Sequence, residues 1–131
     1  MKQINIIINL QIEGVHNWST CNLDEVGFLK FPHRHIFYIC CKKKVSHSDR
    51  DIEIIMLKRE VEKYLKDKYG SPCIFNSMSC EMIALELQKK FNLLYCSVLE
   101  DNENGAEVEI KEHIPSPVFG EQFGIGDSEM G

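Results

Sequence analysis

The sequence predicts an α+β fold: an antiparallel four-stranded sheet with two helices packed on one face, in the order strand, strand, helix, helix, strand, strand. Three observations predict it. Ile4, Ile6, Ile8, Leu10 and Ile12 are in phase, with Asn5, Asn9, Gln11 and Glu13 between them, which is the period of a half-buried strand. Two later segments carry apolar residues at helical spacing. Strands and helices come in blocks instead of alternating, which favours an antiparallel sheet with helices to one side. A chain of 131 residues has the length of one domain with one core. Residues 1–110 form that domain, without internal repeat or linker, and residues 111–131 form a tail.

Taken in order, the first strand is followed by a long irregular connection over residues 17–31, rich in Asn, Ser, Thr, Asp and Gly. A second strand covers about 33–45, with His33, His35, Phe37, Ile39 and Cys41 on one face. Ser46 to Asp51 is a polar turn, and Ile52 to Ile55 is expected to extend the pairing briefly. Leu57, Val61, Tyr64 and Leu65 define the first helix, which Gly70 and Pro72 stop. Ser79 is a good N-cap for the second, with Glu81 in its first turn favoured by the helix dipole. Ile83, Leu87 and Phe91 form its buried stripe. Leu94 to Leu99 is a third strand, Asn104-Gly105 a tight-turn signal, and Ala106 to Ile110 the returning strand. The tail holds Pro115, Pro117, four glycines and several acids, a composition expected to stay mobile unless it packs on a partner.

Composition narrows the function classes. A net charge of −5 argues against nucleic acid as the main partner. The one basic run, Lys42-Lys43-Lys44, sits at a strand end and reads as a solvated edge. No apolar run approaches the roughly 20 residues that span a bilayer, and Ile4 to Ile12 alternates where a signal peptide would be continuously apolar. A cytoplasmic location is therefore expected, and the sequon Asn17-Trp18-Ser19 carries no meaning there. The six cysteines, Cys21, Cys40, Cys41, Cys73, Cys80 and Cys96, include no C-x-x-C pair and read as reduced, small apolar residues.

The chemistry-bearing feature is His33-Arg34-His35, preceded by His16. Side chains at i and i+2 of a strand share a face, roughly 7 Å apart, so two imidazoles can converge on one metal ion. A third from a neighbouring strand completes an open three-histidine site of the kind catalytic zinc uses. If the alternation of the first strand continues, His16 falls on the face of Leu10 and Ile12, while Gly14 is a potential bulge that would flip it. Separate core or surface histidines with ordinary hydrogen bonds are the competing account. Glu100, at a strand end, is the second candidate: a carboxylate there can accept two parallel N–H donors of a guanidine-like ring edge, or be a solvated turn acid.

The ordered set of motifs resembles the 6-pyruvoyl-tetrahydropterin synthase family and its relative, 6-carboxy-tetrahydropterin synthase of the deazapurine (queuosine precursor) pathway. These are tunnelling-fold proteins. Ile12-Glu13-Gly14-Val15-His16 is similar to the first-strand segment ending in a zinc histidine. His33-Arg34-His35-Ile36-Phe37 resembles the H-G-H-x-F that gives the other two ligands. Glu53 to Lys58 resembles the acidic–apolar entry to the first helix, and Ser79 to Ala84 the Thr-x-Glu start of the second. Val98-Leu99-Glu100, followed by Asn104-Gly105-Ala106, resembles the strand whose glutamate anchors the pterin ring. The likeness runs from about residue 4 to 110. It implies zinc held by His16, His33 and His35, a pterin- or purine-like ligand bound by Glu100, Ser79, Cys80 and Arg34, and a trimer or hexamer with sites between subunits.

Two departures limit the implied activity. The family's cysteine, four residues before the first histidine of the pair, is Leu29 here. Its Asp-His pair between the helices has no counterpart, since Lys66 to Met78 contains only Asp67 and Cys73. Positioned acid–base groups each contribute roughly 10²–10⁴ in rate, so losing two removes most of the implied chemistry. Cys21, Cys73, His47 and His113 are the possible substitutes, Cys73 the best placed. An active lyase on dihydroneopterin triphosphate further needs cations for the phosphates, for which Arg34, Lys30 and Lys42 are candidates. A non-catalytic protein that sequesters a nucleotide-like ligand needs none of these. A structural oligomer without ligand is the third account.

Overall fold

A computed structural model describes residues 2–111. The 111–131 tail, except Lys111, and with it His113, lies outside the described residues. The elements are β1 (Ile4–His16), a 3₁₀ segment (Asp24–Lys30), β2 (His33–Val45), α1 (Ile54–Tyr69), β3 (Cys73–Asn76), α2 (Cys80–Phe91), β4 (Tyr95–Glu100) and β5 (Asn104–Glu109).

The α+β class is as expected, but the sheet is not four-stranded and antiparallel. It has five strands in the order β3-β1-β2-β4-β5, and β3 lies parallel to the end of β1, with Gly14 opposite Cys73. The cause is local. Cys73 and Phe75 are buried while Ile74 and Asn76 face out, a two-residue alternation too short to read in a segment expected to be loop. Ile52–Ile55 adds no pairing. Ile54 and Ile55 instead open α1, whose N-cap Glu53 accepts from the Met56 N–H at 3.0 Å.

One face of the sheet carries the core. Ile8, Leu10 and Ile12 of β1, Phe37, Ile39 and Cys41 of β2, and Cys96 and Val98 of β4 pack against Leu57, Val61 and Leu65 of α1 and Ile83, Ala84 and Leu87 of α2. Each large side chain so buried contributes roughly 1.5–3 kcal/mol. Ser79 caps α2 as the sequence predicts, accepting from the Met82 N–H at 3.1 Å, and Gly70 ends α1 at a φ of 92°. Asn92, left-handed at φ 53°, closes α2. The basic run belongs to β2, an inner strand. Lys43 donates from Nζ to the carbonyls of Phe91 (2.6 Å) and Asn92 (3.3 Å), where a cation suits the negative end of α2. Lys42 lies 4.4 Å over the Tyr95 ring.

Two glycines have steric causes. Gly14 does not bulge the β1–β2 ladder, which stays in register from Ile4 to His16. A Cβ at Gly14 would sit 2.7 Å from the Phe75 ring and 2.9 Å from the Phe37 ring, so the glycine makes room for these rings. Gly105 was expected in the hairpin turn. That turn falls earlier, at Asp101 and Asn102 with φ 54° and 60°, and the Glu103 N–H donates to the Glu100 carbonyl at 2.9 Å. Asp and Asn tolerate the left-handed region that such a turn demands. Gly105 lies in β5, where a Cβ would stand 1.8 Å from the Val98 carbonyl oxygen.

Among the described residues no helix is long and apolar enough to cross a membrane.

Candidate metal centre

Strand register brings the histidines together. His16, last residue of β1, lies opposite His33, first residue of β2, and Gly14 lies opposite His35. The ring centroids are 4.5 Å apart for His16–His33, 5.0 Å for His33–His35 and 5.4 Å for His16–His35. Glu100, last residue of β4, pairs with Phe37 and enters from the side of β2 opposite β1. One ligand atom from each of His16, His33, His35 and Glu100 falls within 4.8 Å of all the others. Phe37, fully buried, is the floor, with its ring edge-to-face against His16 at 5.2 Å and His35 at 5.7 Å.

The hydrogen bonds fix which nitrogen is available. His16 Nδ1 faces the Met78 carbonyl at 2.8 Å, His33 Nδ1 the Phe31 carbonyl at 2.9 Å, and His35 Nδ1 the Asp101 carboxylate at 2.7 Å. Carbonyls and ionised carboxylates only accept, so each Nδ1 carries its proton and each neutral ring has its lone pair on Nε2. This is the arrangement by which a second layer of acceptors orients metal-binding histidines. His16 Nε2 lies 2.9 Å and His35 Nε2 3.5 Å from the Glu100 oxygens. Despite that proximity, both nitrogens are buried without a hydrogen-bond partner among the described residues. The two facts agree if lone pairs face lone pairs, a contact that a cation between them makes favourable. The donor set of three imidazoles and one carboxylate fits a divalent transition metal.

The site opens on a cavity of about 530 Å³ whose walls include Trp18, Leu29, Ser79, Cys80, Met82 and Ala106, with His16, His33 and Glu100 at its base. Ser79 and Cys80 come from the start of α2. The Cys80 thiol faces Glu100 Oε2 at 3.8 Å, and burial first, then Glu100, pushes that thiol up to about 12.

Other candidates lie elsewhere. Arg34 is exposed and pairs with Glu13 across the ladder, on the face of β2 opposite His33 and His35. Neither it nor Lys30 nor Lys42 lines the cavity. Cys73 is 1 % exposed in β3, its Sγ 3.7 Å from the Leu65 carbonyl, and burial pushes its thiol up to about 11. Cys21 is buried against the carbonyls of Leu23 and Val26. His47, beyond the other end of β2, faces Asp51 at 3.6 Å.

Sequence reasoning missed the outer acceptors. Two are backbone carbonyls, which no residue type announces. The third is Asp101, whose carboxyl pKa is lowered from its ordinary value by its bonds to His35 and to the Ile36 N–H. An acid directly after Glu100 was the available signal, obscured by the misplaced turn.

No protein-family model matches this chain, and no curated protein matches it either.

Proposed function

We propose that the chain is a divergent tunnelling-fold protein of the 6-pyruvoyl/6-carboxy-tetrahydropterin synthase type. It holds zinc at His16, His33 and His35 with Glu100 alongside, and binds a pterin- or purine-like ring in the adjoining cavity without carrying out the family's chemistry. The observation that carries this is the matched set of Nδ1 acceptors, which turns three Nε2 lone pairs toward one carboxylate.

The chain's own residues bind and orient. Glu100 faces both the histidines and the cavity, so its carboxylate serves a cation and the N–H edge of a planar ring. Trp18, Leu29 and Met82 supply apolar wall for the ring faces. Bound zinc would polarise an oxygen of the ligand. Leu29, at the position of the family's cysteine, has no proton to give, and neither Cys73 nor His47 lines this cavity. Sequestration of an unaltered ligand follows better than turnover.

The same reading includes a homo-oligomer. Among the described residues β3 pairs with β1 at Gly14, Val15 and His16 alone, leaving the rest of that strand an edge, and β5 is the other edge. Unpaired edges are what strand addition between copies covers.

Metal analysis of protein purified without added zinc, followed by incubation with dihydroneopterin triphosphate and with purine nucleotides, tests the proposal. Bound zinc and a ligand recovered unchanged support it. Protein that neither retains nor is stabilised by zinc overturns the metal centre, and conversion of the triphosphate overturns the absence of turnover.

A further inference from the structure

We propose that Asp101 is the positioning residue of this centre, setting the tautomer in which His35 meets the metal. The inference rests on the metal reading above. Among the three histidines, His35 alone gives its Nδ1–H to a side chain, and that side chain is anionic; the other two donate to backbone carbonyls. A carboxylate behind a histidine both orients the ring and strengthens it as a ligand.

Asp101 is itself held firmly. Its Oδ1 accepts from the Ile36 N–H at 3.0 Å, and its own N–H donates to the Ile36 carbonyl at 2.8 Å. Oδ2 is thereby aimed at His35 at 2.7 Å. The two oxygens have separate duties, and each must accept. Asparagine cannot do both. With its amide oxygen toward Ile36, its NH₂ meets His35 Nδ1, and the ring must move its proton to Nε2, into the centre. The opposite flip leaves two donors facing each other at Ile36.

This yields an order that a merely structural role would not give. Asp101→Asn is nearly isosteric and tolerates the left-handed φ of 54°. Asp101→Gly keeps the turn and frees the ring to choose its tautomer. If Asp101 sets the tautomer, Asn is the worse substitution. Zinc affinity by chelator competition should fall about 10–100-fold in Asp101→Asn, and less in Asp101→Gly.

Long-range ¹H–¹⁵N spectra of the metal-free protein supply an independent reading of the proton: on Nδ1 of His35 in the parent, on Nε2 in Asp101→Asn. An Asn variant with parental affinity, or with a smaller loss than the Gly variant, overturns the proposal. So does a His35 proton on Nδ1 in the Asn variant. A parent that binds no zinc but keeps the Nδ1 proton, lost in the Asn variant, overturns the metal centre alone and leaves the positioning role standing.

Discussion

His16 Nε2 and Glu100 Oε2 face one another at 2.9 Å, and because the Met78 carbonyl accepts from Nδ1, a neutral His16 ring turns its Nε2 lone pair toward the carboxylate, so that both atoms are electron-pair donors. Leaving that buried nitrogen unbridged costs free energy. The relation links a strand end, a helix-approach turn and a second strand end in one electrostatic demand, and the predictions about metal follow from it.

Removing metal should destabilise the fold. A ligand at about 100 times its Kd adds roughly 2.7 kcal/mol to a state that alone binds it. Thermal or urea unfolding before and after chelation measures this. His33→Ala should abolish the difference while keeping the fold, because His33 is only part-buried at the cavity base. Identical midpoints with and without zinc in the parent would count against the centre.

Gly105→Ala should be among the most damaging single changes, costing about 3 kcal/mol. Its Cβ would overlap the Val98 carbonyl at 1.8 Å and approach Leu99 Cα at 2.7 Å, both backbone and unable to yield. β5 would part from β4, loosening Glu100 and Asp101. Gly27→Ala, where a Cβ meets nothing within 4 Å, is the control and should stay within about 0.5 kcal/mol. Denaturant titration of the two variants decides.

The two helices are bolted together at Glu86, and that joint should depend on pH. Its carboxylate accepts from Tyr64 (2.6 Å), Tyr69 (2.5 Å) and Lys68 (2.8 Å). Burial raises its pKa, but these donors outweigh burial and hold it below the usual 4.5. A depressed carboxylate stabilises above its unfolded pKa, and the contribution disappears as pH falls through the folded value. Tyr69, pushed up to about 12 by burial and Glu86, works in the opposite sense: its contribution is present below pH 10.0 and lost toward about 12. Glu86→Gln should therefore cost about 1–3 kcal/mol at neutral pH, with the gap from the parent closing as pH falls below 4.5 and through the lower folded value. A gap independent of pH would contradict the assignment.

Cys73 should prove inert. Its thiol is buried and pushed up to about 11, whereas reactivity needs an exposed thiolate. Of the six cysteines, Cys40 alone is not buried and should be alkylated first in the folded protein, as followed by peptide mass spectrometry. Cys73→Ala should leave zinc and ligand binding unchanged; loss of ligand with the fold intact would restore Cys73 as a functional residue.

The long elements were legible because their periods are long. β1 and β2 carry up to five in-phase apolar positions, and the Ser79 cap and the Gly70 stop have specific backbone causes. β3 was not, since four residues buried through Cys73 and Phe75 give too little pattern. The hairpin was misplaced because Asn104-Gly105 is the stronger turn signal, yet Gly105 answers a clash with Val98 and Asp101-Asn102 takes the turn. Convergence of the histidines was legible as a possibility. What decided it, the register of His16 with His33, depends on the ladder running unbroken through Gly14, and that in turn on how Phe37 and Phe75 pack.

The short third strand also shapes how the sheet breathes. Among the described residues it joins β1 at Gly14, Val15 and His16, beyond the reach of β4 on β2, and so gives β1 a neighbour on both sides at the histidine end and on one side at the other. Amide hydrogens there are flanked on both sides, while those at the start of β1 have β2 as their one neighbour. Exchange with deuterated water should therefore run as a gradient along a single strand, fastest near Ile4 and slowest toward His16. The end that gathers the imidazoles is the last to open.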